Sequence, residues 1–198
     1  MSIYTHALYE QLNVCKRSVM DANQFPITEI TGYMSEENNY NALVKCQGID
    51  DFLRGRSEMV LLSEDKKSVF LELTKTGKYK LPGGGWDKDE DFMVCAIRET
   101  KEESHMVPRN VKYVEGMDYI EIYNQPKGWF QKKIPEQYQW IGVYTKVYCG
   151  VKDGMYKKRV NDIDQDDIAW KGKFYPIDKI KNILLPVHKK AIELQLEV

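Results

Sequence analysis

Between Gly83 and Met106 the chain reads GGGWDKDEDFMVCAIRETKEESHM, three consecutive glycines followed by a run with helical periodicity. No other segment narrows the possible structures so much. Glycines without side chains let the backbone approach a ligand or a metal closely, and they permit φ > 0. On a wheel of about 100° per residue, Met93, Ala96, Ile97 and Thr100 share one face suited to packing on a sheet. Glu99, Glu102 and Glu103 gather on a neighbouring face, because positions i, i+3 and i+4 meet on a helix. Like charges so placed destabilise an isolated helix by roughly a few tenths of a kcal/mol per pair, and a cation reverses the sign. Carboxylates without imidazole or thiolate suit a hard ion, Mg²⁺ first and Mn²⁺ as a substitute. Mg²⁺ keeps several waters and shares itself with substrate phosphates, so a carboxylate cluster facing a glycine loop points to phosphate chemistry.

The flanking sequence sets this helix among strands. Met59–Leu62 and Val69–Leu73 are short apolar runs separated by the polar turn Ser63–Ser68. A second strand pair is expected at Tyr113–Tyr123 and Tyr138–Tyr148, joined by the loop Asn124–Gln137. An acidic loop, Asn161–Asp167, precedes Phe174–Ile177, and a helix is expected from about Pro186. Strands with interspersed helices predict an α/β or α+β domain. The first 54 residues read differently. Leu8, Leu12, Cys15 and Val19 fall at helical spacing, as do Ala42, Cys46, Ile49 and Leu53, so residues 1–54 are expected to form a helical extension. Gln24-Phe25-Pro26 would break the first helix, and Ser35 would cap the second.

Composition excludes several classes. With 29 basic and 30 acidic side chains in 198 residues, there is no basic arm for an extended nucleic acid, although a cationic pocket for one nucleotide stays open. Cys15, Cys46, Cys95 and Cys149 are widely spaced, without a CxxC pair or a Cys/His cluster, and are read as ordinary buried thiols. The N-terminal stretch lacks the apolar run of a signal peptide, and no segment reaches a membrane-spanning length. A cytoplasmic protein with no membrane partner is the expectation.

The glycine-to-helix segment resembles the Nudix box, Gly-x5-Glu-x7-Arg-Glu-U-x-Glu-Glu-x-Gly-U, where U is a bulky apolar residue. Gly84, Glu90, Arg98, Glu99, Glu102, Glu103 and Met106 match it, and Leu81-Pro82-Gly83 resembles the usual lead-in. At residue frequencies of roughly one in fifteen, six fixed matches arise by chance on the order of 10⁻⁵ per chain of this length. Two positions depart from the pattern. Thr100 stands at the first U, where its hydroxyl can bond back to the Ala96 carbonyl. His105 replaces the glycine that usually ends the helix in the left-handed conformation.

The resemblance implies an α/β/α sandwich with a mixed sheet over residues 55–198, and a metal-dependent hydrolase that cleaves a diphosphate bond in a nucleoside diphosphate linked to another moiety. It makes Glu99, Glu102 and Glu103 metal ligands together with a carbonyl at Gly84 or a neighbouring glycine, with Glu102 alternatively the base. Arg98 would orient a glutamate by a charged hydrogen bond. Glu90, almost opposite Glu99 on the wheel, would be structural. An extra acid often comes from a late loop, where Asp164, Asp166 and Asp167 lie. Tyr123, seventeen residues after Met106, is near a tyrosine seen in diadenosine polyphosphate hydrolases; Lys132 and Lys133 could reach a distal phosphate. The substrate is expected to be a small nucleotide-like molecule, and the extension packs on the core or builds a homodimer. The alternative is a non-catalytic Nudix-fold module that binds a nucleotide and regulates.

Overall fold

The computed structural model of the chain describes residues 3–5, 17–34, 40–73, 79–87, 90–123, 140–155, 172–180, 189–190 and 192–193. In chain order the strands are β1 (Ile3–Thr5), β2 (Arg17–Asp21), β3 (Ile27–Met34), β4 (Tyr40–Cys46), β5 (Phe52–Leu62), β6 (Ser68–Leu73), β7 (Tyr79–Lys80) and β8 (Gly83–Gly85). The helix α1 (Phe92–Ser104) follows, then β9 (Met106–Tyr113), β10 (Tyr119–Tyr123), β11 (Trp140–Met155), β12 (Lys173–Pro176) and the single turn α2 (Ile177–Ile180). This composition of elements bears out the expected α/β class.

The chain divides into two compact units. The first comprises Met1–Arg56, Gly85–Glu90 and Gly116–Lys146. Within it β1 pairs with β2, β2 with β10 and β10 with β11, all antiparallel, with Ile120 opposite both Met20 and Tyr144. A second run pairs β3 with β4 and β4 with β5, again antiparallel, setting Val44 opposite Leu53. Leu43, Val44 and Leu53 are fully buried.

The helical reading of the N-terminal residues is therefore corrected. Ala42 and Cys46 lie on β4, Leu53 on β5 and Val19 on β2; Leu8, Leu12, Cys15 and Ser35 fall outside the described residues. A spacing of four satisfies both periods, one turn of helix and twice the two-residue repeat of a strand. Val44 separates them: a wheel sets it far from Ala42 and Cys46, whereas a strand sets it on their face, and all three are buried. The step from Cys46 to Ile49 is a tight turn, with Gly48 at φ +77° and Ile49 N–H bonded to Cys46 O at 3.1 Å.

The second unit comprises Ser57–Gly84, Asp91–Glu115 and Val147–Val198. Here β6 pairs antiparallel with β5, β7 and β12, and β9 pairs antiparallel with β11. From Ser57 to Leu62 every residue of β5 is buried, so this stretch is covered on both faces, and Met59–Leu62 within it is a continuous apolar run rather than an alternation. The expected strand Tyr113–Tyr123 is instead interrupted, since β9 ends at Tyr113 and Gly116 (φ +75°) turns the chain before β10. The expected C-terminal helix is described only at residues 189–190 and 192–193, which are helical.

Candidate active site

The box segment folds as a strand-to-helix connection. Pro82 O accepts the Met59 N–H at 2.9 Å, docking the glycine strand on β5. Asp91 caps α1 by accepting the Val94 N–H at 2.8 Å, and Ser57 Oγ donates to Phe92 O at 2.6 Å, fixing the helix start. The close approach expected of the glycines is present; the positive φ is not, since none of Gly83, Gly84 and Gly85 is left-handed. A Cβ on Gly83 would strike Ser57 O and Glu58, and one on Gly84 would strike the Glu99 carboxylate.

Along α1 the structure brings the predicted carboxylates to the glycine strand. Glu103 accepts the Gly83 N–H at 2.7 Å through one oxygen and the Lys80 ammonium at 2.5 Å through the other. Glu99 and Glu102 share the Arg98 guanidinium, at 2.8 and 3.2 Å. Gly84 O faces the Cys95 thiol at 3.7 Å. Glu99 is the most enclosed of the three box carboxylates; burial pushes its pKa up to about 7 against the lowering effect of Arg98, with Glu103 and Glu102 adding to the rise.

The buried face of α1 is shifted from the wheel reading. Met93 is exposed, whereas Phe92, Cys95, Ala96, Thr100 and Ser104 are buried. Thr100 Oγ1 donates to Ala96 O at 2.6 Å, as expected for a hydroxyl in that place. His105 ends the helix in the left-handed region, φ 54° and ψ 27°, its N–H bonded to Lys101 O at 3.1 Å, so histidine takes the glycine's conformation. Glu90 is not on the helix at all. Within the first unit its Oε1 accepts the Asp87 N–H at 2.9 Å and its carbonyl accepts the Trp86 Nε1–H, which shapes the loop.

Two residues were missed by sequence reasoning. Glu72 on β6 lies directly opposite Lys80 on β7 and pairs with it at 3.1 Å. Burial first, then the Glu103 charge, raises the Glu72 carboxyl to about 7. Its Oε1 is buried without a hydrogen-bond partner among the described residues. Only the β6–β7 register discloses this pair, because Glu72 is distant from the box in sequence.

Among the described residues no three acidic, histidine or cysteine side chains converge as a metal-holding group. The donor types nonetheless fit a hard divalent ion: carboxylates on one helix, the enclosed Glu99 lying against Gly84 with its pKa raised, and no imidazole among them. Tyr123 ends β10 in the first unit; Lys132, Lys133, Asp164, Asp166 and Asp167 lie outside the described residues. Cys46, Cys95 and Cys149 are buried thiols outside any disulfide among the described residues, as expected, and Cys15 is outside the described set. No described helix is long and apolar enough to cross a membrane.

The glycine strand β8 thus leads into the helix that carries all three box glutamates. The Nudix domain model matches residues 52–193, and the chain belongs to the Nudix family. It is 30% identical over 96 residues to the RNA pyrophosphohydrolase of Pelagibacter ubique (strain HTCC1062), a match that covers 45% of this chain. The chain spans 60% of the length of that curated relative. Among solved structures, a MutT from work on the Aliivibrio salmonicida and Vibrio cholerae proteins shows 15% identity, 71% coverage of this chain and 97% of its own, and a TM-score of 0.46. A mutant of the Bacillus subtilis pyrophosphohydrolase BsRppH shows 14% identity, 83% and 97% coverage, and a TM-score of 0.47.

Proposed function

We propose that this protein is a Mg²⁺-dependent hydrolase, with Mn²⁺ as substitute, that cleaves the diphosphate bond of a nucleoside diphosphate linked to another moiety. The single observation that carries the reading is the enclosure of Glu99 against Gly84: a side chain at residue 84 would occupy the carboxylate's place, and that carboxyl is held at about 7. The Pelagibacter relative is an RNA pyrophosphohydrolase, which supports a pyrophosphate linkage as the target.

In this reading Glu99, Glu103 and the carbonyl of Gly84 or a neighbouring glycine hold the ion, with Glu102 a third ligand or the base. When bound, the ion neutralises phosphoryl charge and lowers the pKa of an attacking water. Arg98 keeps Glu99 and Glu102 oriented through its fork of N–H donors. Glu102, the more exposed of that pair at 43% against 14%, is the carboxylate best placed to take a proton from solvent-side water. Tyr123, Lys132 and Lys133 would serve the substrate, a small nucleotide-like molecule rather than an extended nucleic acid. Residues 1–54 would serve assembly, as a homodimer or as part of the fold, in a cytoplasmic setting without a membrane partner.

The test is a panel of nucleoside diphosphate derivatives assayed for phosphate or monophosphate release, with Mg²⁺ and with chelator. Steady turnover that vanishes in chelator supports the reading. One observation favours a second reading, a nucleotide-binding module without catalysis: Arg98 and Lys80 already pair with all three box carboxylates. Saturable binding of the same compounds without turnover would establish that alternative.

A further inference from the structure

The ammonium of Lys80 bridges two carboxylates of different standing, Glu103 at 2.5 Å and Glu72 at 3.1 Å. Glu103 belongs to the box, whereas Glu72 is on β6, outside any part of the site derived above. Both carboxylates are largely enclosed, with side-chain exposures of 25% and 13%. Two such groups close together repel unless a cation lies between them, and the lysine supplies it. Glu72 is placed to keep the lysine: it is the cross-strand neighbour of Lys80, and its Oε1 is a buried acceptor without a partner among the described residues. An ammonium leaving Glu103 therefore has a second carboxylate within reach, with an acceptor to spare.

We propose that Lys80 is a built-in stand-in for the divalent cation at Glu103, holding that carboxylate in position until the ion arrives and then passing wholly to Glu72. Lys80 is thus a positioning residue that competes with the metal rather than binding substrate. The inference rests on the reading of Glu103 as a ligand, so its test separates the two claims. Competition has a definite consequence. Removing the ammonium frees Glu103, so the ion binds more tightly. A lysine acting only through long-range charge would instead weaken the ion's binding equally whether or not Glu103 is ionised.

The experiment is a double-mutant cycle of Lys80→Met and Glu103→Gln, read as the dissociation constant of Mn²⁺ by electron paramagnetic resonance, without substrate. Lys80→Gln, which retains a hydrogen-bond donor, is measured alongside in case the methionine variant folds poorly. The expected result has three parts. Glu103→Gln weakens Mn²⁺ binding. Lys80→Met and Lys80→Gln tighten it about two- to fivefold, the span of one partly exposed ion pair. That gain disappears in the Glu103→Gln background. If Glu103→Gln leaves the affinity unchanged, the site as drawn is wrong and the inference falls with it. If Glu103→Gln weakens binding while the lysine variants bind as the wild type does, or gain equally in both backgrounds, the site stands and the stand-in role is overturned.

Discussion

Glu99 carries a consequence that can be measured without substrate. Its carboxyl is raised from an ordinary 4.5 to about 7, chiefly because burial disfavours the charged form. Between those values the folded protein binds a proton that the unfolded chain has released. This contribution to stability is therefore complete below about 4.5 and is lost as pH rises through about 7. In chelator, the fall in melting temperature from pH 5 to pH 8 should be shallower in Glu99→Gln than in the wild type. Parallel curves would show that Glu99 is not the titrating group. The neighbouring glycines make a contrasting pair. A methyl at Gly83 meets the Ser57 and Glu58 backbone, which cannot yield, so Gly83→Ala should cost about 1–3 kcal/mol by chemical denaturation. At Gly84 the obstacle is only the flexible end of Glu99. Gly84→Ala should melt near the wild type but lose turnover, and equal stability losses in both variants would contradict this account.

At the scale of elements, α1 was legible because its signals agree. Helical spacing, an aspartate at the start and glutamates on one face all favour the same helix. Its ends were less so: the helix begins at Phe92, because Asp91 turns its side chain back to cap Val94. The left-handed His105 sits where glycine costs less, so His105→Gly should leave stability unchanged or raise it by at most about 1 kcal/mol. A clear loss on thermal melting would show that contacts of the imidazole outweigh the backbone strain. The strand β4 was misread because positions four apart suit both periods, and the burial of Val44 decides between them. Lys80 and Glu72 were invisible for a different reason, since a cross-strand pair depends on a register that local sequence does not disclose.

For the molecule as a whole, the family match starts at residue 52, within β5, while residues ahead of it are built into the first unit by strand pairing. β2 pairs with β10, and β4 pairs with β5. Removing residues 1–54 would leave β10 and the remainder of β5 without those neighbours, and unpaired strand edges promote association. The truncated chain should aggregate or gain mass in light scattering; a soluble, monomeric and equally stable product would refute this.

The central claim is that the α1 carboxylates hold the catalytic ion. The most direct test compares turnover and melting temperature of Glu103→Gln and Glu90→Gln, with and without Mg²⁺. Glu103 accepts the Gly83 N–H beside the cluster, and a glutamine keeps one acceptor while losing the ligand charge. Glu90 bonds to Asp87 in the loop ahead of the helix. The account predicts that Glu103→Gln stays folded, loses about a hundredfold or more in turnover and forfeits the Mg²⁺-induced rise in melting temperature. Glu90→Gln should keep most of both. Full activity in Glu103→Gln, or equal losses in two folded variants, would contradict the site.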